Sequence, residues 1–439
     1  MKLGLKLLVI GLVMVLLLVP ILLLKGLVWE RQQRAEEVRT EVAQSSSRAQ
    51  RLLGPLLLVE IETEKDERRM VLENGTTREI TEIKAVREQR LLLPASLALT
   101  GDFKTELRGR ALFSAVLYHA SFKGSAEFDL TTLLGPRQSL RRADLVMGLG
   151  DNRGIKQVEL RAGGVALPIE PGARLPWLSN GLQAAIEPTA LHGKALSIEL
   201  DLLLTGTEAL DFVPVGADTR IALSGDWPHP SFRGDLLPGA PQISAQGFSA
   251  DWSVSRLASQ AQQTIMQCGV EGTSCHGVDA VSFGLRLVDP VDRYLMTDRA
   301  MKYALLVLVL VFGAVFFMEV VGKGELHPPH YGLTGLALAM FFLLLLALAE
   351  HIGFGLAYLL AALACVALIS SYLGGVLDSR RSTLTSALLL SVLYALLYGL
   401  LKAEDHALLL GALALFGCLS VFMLATRKVR WSGFALDAR

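Results

Sequence analysis

The sequence predicts a multi-domain membrane protein: an all-β, sandwich-like extramembrane domain plus an α-helical transmembrane bundle of six helices. Three observations predict it. Apolar runs long enough to approach the ~20 residues of a spanning helix occur once near the N-terminus and repeatedly beyond residue 301. Between them, apolar side chains recur with period two, the mark of strands with one buried face. Only 19% of the 439 residues are charged, and those charges sit mainly between Trp29 and Lys302.

In chain order, residues 1–29 form the N-terminal transmembrane segment. Lys2 and Lys6 precede an uncharged run from Leu7 to Leu24, and no small-x-small cleavage site follows. That pattern reads as an uncleaved signal anchor, with Trp29 at the interface and Pro20 as a tolerated membrane proline. Residues 30–50, rich in Arg, Glu and Gln, extend it as a solvated helical stalk. Residues 51–300 form the β-rich domain. In Ser197–Thr205, for example, Ile198, Leu200, Leu202 and Leu204 share one face. Turn signals such as Asn74-Gly75 separate such runs, so antiparallel sheets are expected, with no long helix inside. Residues 301–426 form a five-helix bundle, with helices near 303–322, 331–349, 353–376, 384–401 and 407–425. A tail, 427–439, closes the chain.

Lys and Arg in short loops mark the cytoplasmic side. With the N-terminus inside, the Lys323 loop, Arg380-Arg381 and the basic tail fall inside as well. Glu350-His351 and the link Lys402–His406 fall outside. Both termini are then cytoplasmic and residues 30–300 lie on the opposite side, which is the periplasm if the membrane is the inner one of a Gram-negative bacterium. The expected partners are the lipid bilayer and a periplasmic or envelope component. A net charge of zero gives no field for nucleic acid.

No residue is assigned to catalysis, a cofactor or a metal. The chain has no Gly-x-Ser-x-Gly, Walker loop, His-Glu-x-x-His or Cys-x-x-Cys. The candidate functional residues are those nearest the membrane: Glu319, His327, Glu350, His351, Arg299 and Lys302. The topology puts Glu319 and His327 at the inner face and Glu350-His351 at the outer, so they do not form one site. Glu350-His351 reads as the polar link of a tight hairpin, or else as a proton or ligand site. Two prolines make His327-Pro328-Pro329-His330 a stiff extended turn. Cys268 and Cys275 bracket a short loop that an oxidising compartment would let close as a disulfide; free thiols are the alternative.

One family carries many of these residues. They include Pro290-Val291-Asp292-Arg293-Tyr294, Arg299, Lys302-Tyr303, Glu319, His327-Pro328, Tyr331-Gly332-Leu333, Gly335-Leu336-Ala337-Leu338 and Glu350-His351. In the β domain they include Gly54-Pro55, Asp151–Ile155, Phe212–Gly216 and Ser224–Phe232. In these the chain resembles the CreD family of bacterial inner-membrane proteins. His330 departs from that pattern, which more often has Gln there. The resemblance implies an envelope protein under a two-component regulon, linked to envelope integrity and stress tolerance, with no established reaction. The expected function is therefore non-enzymatic. A small-molecule or ion transporter built from the C-terminal helices and a periplasmic-face membrane enzyme are the alternatives.

Overall fold

The computed structural model describes residues 3–402 except 74–75, 111–112, 192, 271, 276, 289–292 and 323–325. Beyond 402 it describes only 409, 411–413, 416–417, 420 and 423, so most of the expected helix 407–425 and all of the tail lie outside the described residues. Two compact units result: residues 1–36 with 291–439, and residues 37–290.

In the membrane unit, α1 spans Leu3–Ser45, and its residues up to 36 belong here. The helix passes through Pro20 unbroken. The run 30–50 is not solvated all round. Val28 and Ala35 are buried, and Val42 continues the same seven-residue spacing into the β unit. That spacing keeps an apolar seam on one side of a helix many of whose other residues here are charged or polar.

A short α2 (Ala261–Cys268) lies in the β unit. The bundle helices are α3 (Arg293–Lys302), α4 (Ala304–Gly322), α5 (Pro328–Ile352), α6 (Phe354–Val376) and α7 (Arg380–Lys402). Among the described residues, α1, α5, α6 and α7 are long and apolar enough to cross a membrane. The pair α3 and α4, bent by 47° at Tyr303, makes a fifth if counted as one span.

Three expectations change here. Residues 293–300, expected within the β-rich domain, are helical: α3 buries Tyr294, Thr297 and Ala300 along one face. Glu350 and His351 are not a link but the last turn of α5. The reversal into α6 needs only Gly353, whose φ of 80° is open to glycine. His327-Pro328-Pro329-His330 is not an extended turn. His327 is the N-cap of α5 and the prolines fill its first turn, where their missing N–H groups have no helical partner to lose.

The β unit is a sandwich of two eight-stranded sheets. The first is built around Gln50–Glu73, flanked by Gln138–Leu149 on one side and by Ala209–Val213 and Thr76–Leu92 on the other. The second is built around Ser96–Arg110, Phe113–Asp129 and Ala195–Thr207. Their inner faces meet in one core, where Phe122 stacks edge-on to Phe212 at 6.0 Å and Trp252 meets Phe283 at 5.7 Å. The alternation in Ala195–Thr207 holds as far as Leu204, with Ile198, Leu200, Leu202 and Leu204 buried and Ser197, Glu199 and Asp201 exposed, and breaks at Thr205, which is buried.

The sheets are mixed, not purely antiparallel. Gln50–Glu73 pairs parallel with Ala209–Val213, and Ser96–Arg110 with Asp218–Gly225. Each parallel pair joins segments far apart in sequence, which turn signals between neighbours do not reveal. Nor is the domain wholly β. In α2, Ala261 and Ile265 are one turn apart and fully buried, too short a pattern to outweigh the surrounding strands.

Candidate functional site

Two carboxylates of the membrane unit, Glu319 and Glu350, are each met by a cation from α1. Glu319, near the end of α4, is 8% exposed and accepts an ion pair from Lys6. The same carboxylate accepts the Leu326 N–H at 2.9 Å and the Tyr331 hydroxyl at 2.8 Å. Glu350, at the end of α5, lies 3.6 Å from the Arg31 guanidinium and accepts the Tyr294 hydroxyl at 3.2 Å. Tyr331 and Tyr294 are both buried. The first apolar helix thus supplies a cation to each carboxylate, 25 residues and roughly 37 Å of helix apart. The two acids are separate groups with separate partners. His351 is exposed and takes no part in the Glu350 group.

Between these two groups the helices touch closely. A side chain on Gly335 of α5 would run into Leu17 of α1 and Phe312 of α4. That is the physical content of the glycine in the Gly335-Leu336-Ala337-Leu338 motif. It lets three helices meet at the level between the ion pairs.

The other candidates are dispersed. His330 bonds through Nδ1 to the Tyr372 hydroxyl at 2.7 Å, which ties α5 to α6. His327 is exposed, with its ring centre 6.2 Å from that of His330. Among the described residues no three His, Cys, Asp or Glu side chains converge as a metal site. Lys302 pairs within its own helix with Asp298 at 3.0 Å, a contact worth only a few tenths of a kcal/mol at the surface. Arg299 lies one turn earlier on α3, with Lys302 in that helix's last turn.

No local pattern in the sequence marks Lys6, Arg31, Tyr294 or Tyr331 as partners of the two acids. A signal existed: two acids border the C-terminal apolar runs, and two bases border the first one. Burying either acid is costly unless a base meets it.

In the β unit, the turn after Leu149 is an anchor for the end of α1. Gln50 is fully buried and donates to the Ser47 hydroxyl at 2.7 Å and the carbonyls of Asp151 at 2.9 Å and Thr205 at 3.2 Å. It accepts the Asp151 N–H at 3.1 Å. The Asp151 carboxylate takes the N–H groups of Arg48 at 3.2 Å and Arg153 at 3.1 Å and the Arg153 guanidinium at 2.6 Å. Arg153 also donates to the Gln44 carbonyl in the last turn of α1. Beside it, Val38 and Val42 pack on Ala115 and Leu117.

The Arg153 guanidinium holds the Asp151 carboxyl down to about 2. A depressed acid contributes stability that is complete above its unfolded value near 4 and is lost as pH falls through 2. Melting of the purified protein between pH 4 and 2 should therefore show an acid loss of roughly 2 kcal/mol that Asp151→Asn lacks.

Cys268 and Cys275 are joined as a disulfide, with Cα atoms 5.4 Å apart. The loop they close is pinned by the Trp177 indole N–H on the Gly269 carbonyl at 2.9 Å. Replacing both cysteines by Ser should lower stability by about 2 kcal/mol through the freed loop entropy, read as a lower melting temperature. The Trp227 indole donates to the Val288 carbonyl at 3.0 Å.

A helical membrane unit carrying a two-sheet β domain defines the class: an integral membrane protein with one large extramembrane domain. The comparisons with known proteins narrow it. The family model described as inner membrane protein CreD matches residues 2–432. The inner membrane protein CreD of Escherichia coli (strain K12) is 34% identical over 429 residues, covering 96% of this chain and 92% of that protein. The chain belongs to the CreD family of inner membrane proteins.

Proposed function

We propose that this inner-membrane protein supports envelope integrity under stress by binding, not by catalysis. It has six spans, cytoplasmic termini and residues 30–300 in the periplasm, and it is expressed under a two-component regulon. The β domain engages an envelope component, and the helices anchor it. One observation carries this reading. The two carboxylates at the membrane edges, the natural candidates for proton chemistry, are already neutralised by α1 and hydrogen-bonded to tyrosines. A carboxylate in that state positions a helix better than it abstracts a proton.

The test is a deletion strain challenged with detergent and cell-wall antibiotics. The reading expects sensitivity, restored by the wild-type gene and equally by His351→Ala. Tolerance equal to wild type in the deletion strain, or failure of His351→Ala at normal protein level, counts against it. A cysteine at the exposed position Glu82 should react with an impermeant maleimide from the periplasm, which tests the topology.

A further inference from the structure

The strand Thr76–Leu92 is bonded as a strand on one side only, to Gln50–Glu73, among the described residues. Its other edge is open. Between 82 and 90 the strand carries Glu82, Lys84, Arg87, Glu88 and Arg90, charge being the usual defence of an exposed strand. At its inner end it borders a cleft of about 860 Å³.

The lining of that cleft is informative. Arg87, Glu88, Gln89, Arg90, Leu91 and Leu92 all contribute, six residues in succession. Successive side chains of a strand point to opposite faces. A hollow confined to one face would touch alternate residues; this one touches all six and also Glu60 of the paired strand, so it runs along the backbone edge and over onto one face. The facing wall is the disulfide-closed loop with Met266, Gly269 and Val270, and Leu133 adds apolar surface. The gap is therefore held open by a covalent bond and by the Trp177 indole.

Charge narrows the occupant. Arg90 pairs with Glu88 at 3.0 Å, and Arg87 with Glu62 at 3.2 Å and Glu60 at 3.8 Å. Among the described residues the rim presents no uncompensated cation for a phosphate or lipid headgroup and no uncompensated acid for a metal. It offers neutral backbone donors and acceptors above an apolar floor, which is complementary to the backbone of an extended, uncharged polypeptide.

We propose that this cleft binds an extended peptide segment of an envelope protein, which adds as a strand to residues 87–92. The inference names the partner class for the β domain and rests on the binding function proposed above. Backbone pairing supplies affinity, and the pockets beside Leu91, Leu133 and Met266 select apolar side chains at alternate positions.

The experiment uses the full chain in lipid nanodiscs and an array of uncharged dodecapeptides with alternating apolar residues. Binding peptides should slow amide hydrogen exchange at 87–92 at least tenfold and leave residues 81–86 unchanged. Thr132→Trp, at the exposed rim, should weaken binding at least tenfold without lowering the melting temperature. N-methylation of alternate peptide amides should abolish binding. The proposal is overturned if no peptide protects 87–92, if N-methylated peptides bind equally well, or if the edge is already protected in peptide-free dimers, meaning a second copy occupies it. Such a result leaves the envelope-integrity reading standing, because that reading is tested by the deletion strain.

Discussion

Lys6→Met is expected to destabilise the membrane unit by about 3 kcal/mol, because it leaves Glu319 buried without its cation. Lys6→Met combined with Glu319→Gln should recover most of that loss, since the neutral pair removes the charge that needed a partner. With Glu319→Gln the amide oxygen can still accept the Leu326 N–H, and the amide NH2 can donate to the Tyr331 hydroxyl oxygen, which turns from donor to acceptor. Equilibrium unfolding in bicelles of the two single variants and the double gives the coupling directly. Additive losses would mean that the two residues do not act on each other.

Gln50→Leu is expected to cost about 3 kcal/mol in the β unit. The shape is nearly conserved, but the Asp151 N–H and the Thr205 carbonyl lose their buried partner. Gly154→Ala should do comparable harm by a different route, because its methyl would meet the Gln50 amide and the Thr205 carbonyl. Denaturant midpoints check both. A Gln50→Leu protein as stable as wild type would mean that water or a rearranged turn satisfies those groups.

The sequence was most legible where one physical effect dominates. Apolar length marked α1, α5, α6 and α7, and the alternation of Ile198 to Leu204 marked a half-buried strand. Boundaries set by single-residue geometry were less legible. Gly353 reverses the chain alone, so Glu350 and His351 could stay in the helix. The prolines after His327 start a helix because the first turn tolerates them.

The site was legible only in half. Glu319 and Glu350 stand out in the sequence because charge beside an apolar run is costly. Their partners are hundreds of residues away in the first helix, and no local pattern joins Lys6 to Glu319 or Arg31 to Glu350. The same holds for Gln50, an unremarkable residue before a strand until the turn at Asp151 closes around it. Spacing reveals elements; it does not reveal which charges meet across the fold.

Glu319 and Glu350 each pair with a cation of α1, and the function proposed above gives them the role of fixing that helix in the membrane unit. Charge exchange separates this role from chemistry, because an ion pair survives reversal and a reacting carboxylate does not. The measurement is detergent tolerance of the deletion strain carrying Glu319→Lys alone or with Lys6→Glu, with membrane protein level read in parallel. Anchoring predicts that Glu319→Lys fails through loss of protein and that the reversed pair restores both protein and tolerance. Protein restored to normal level without tolerance would contradict the account.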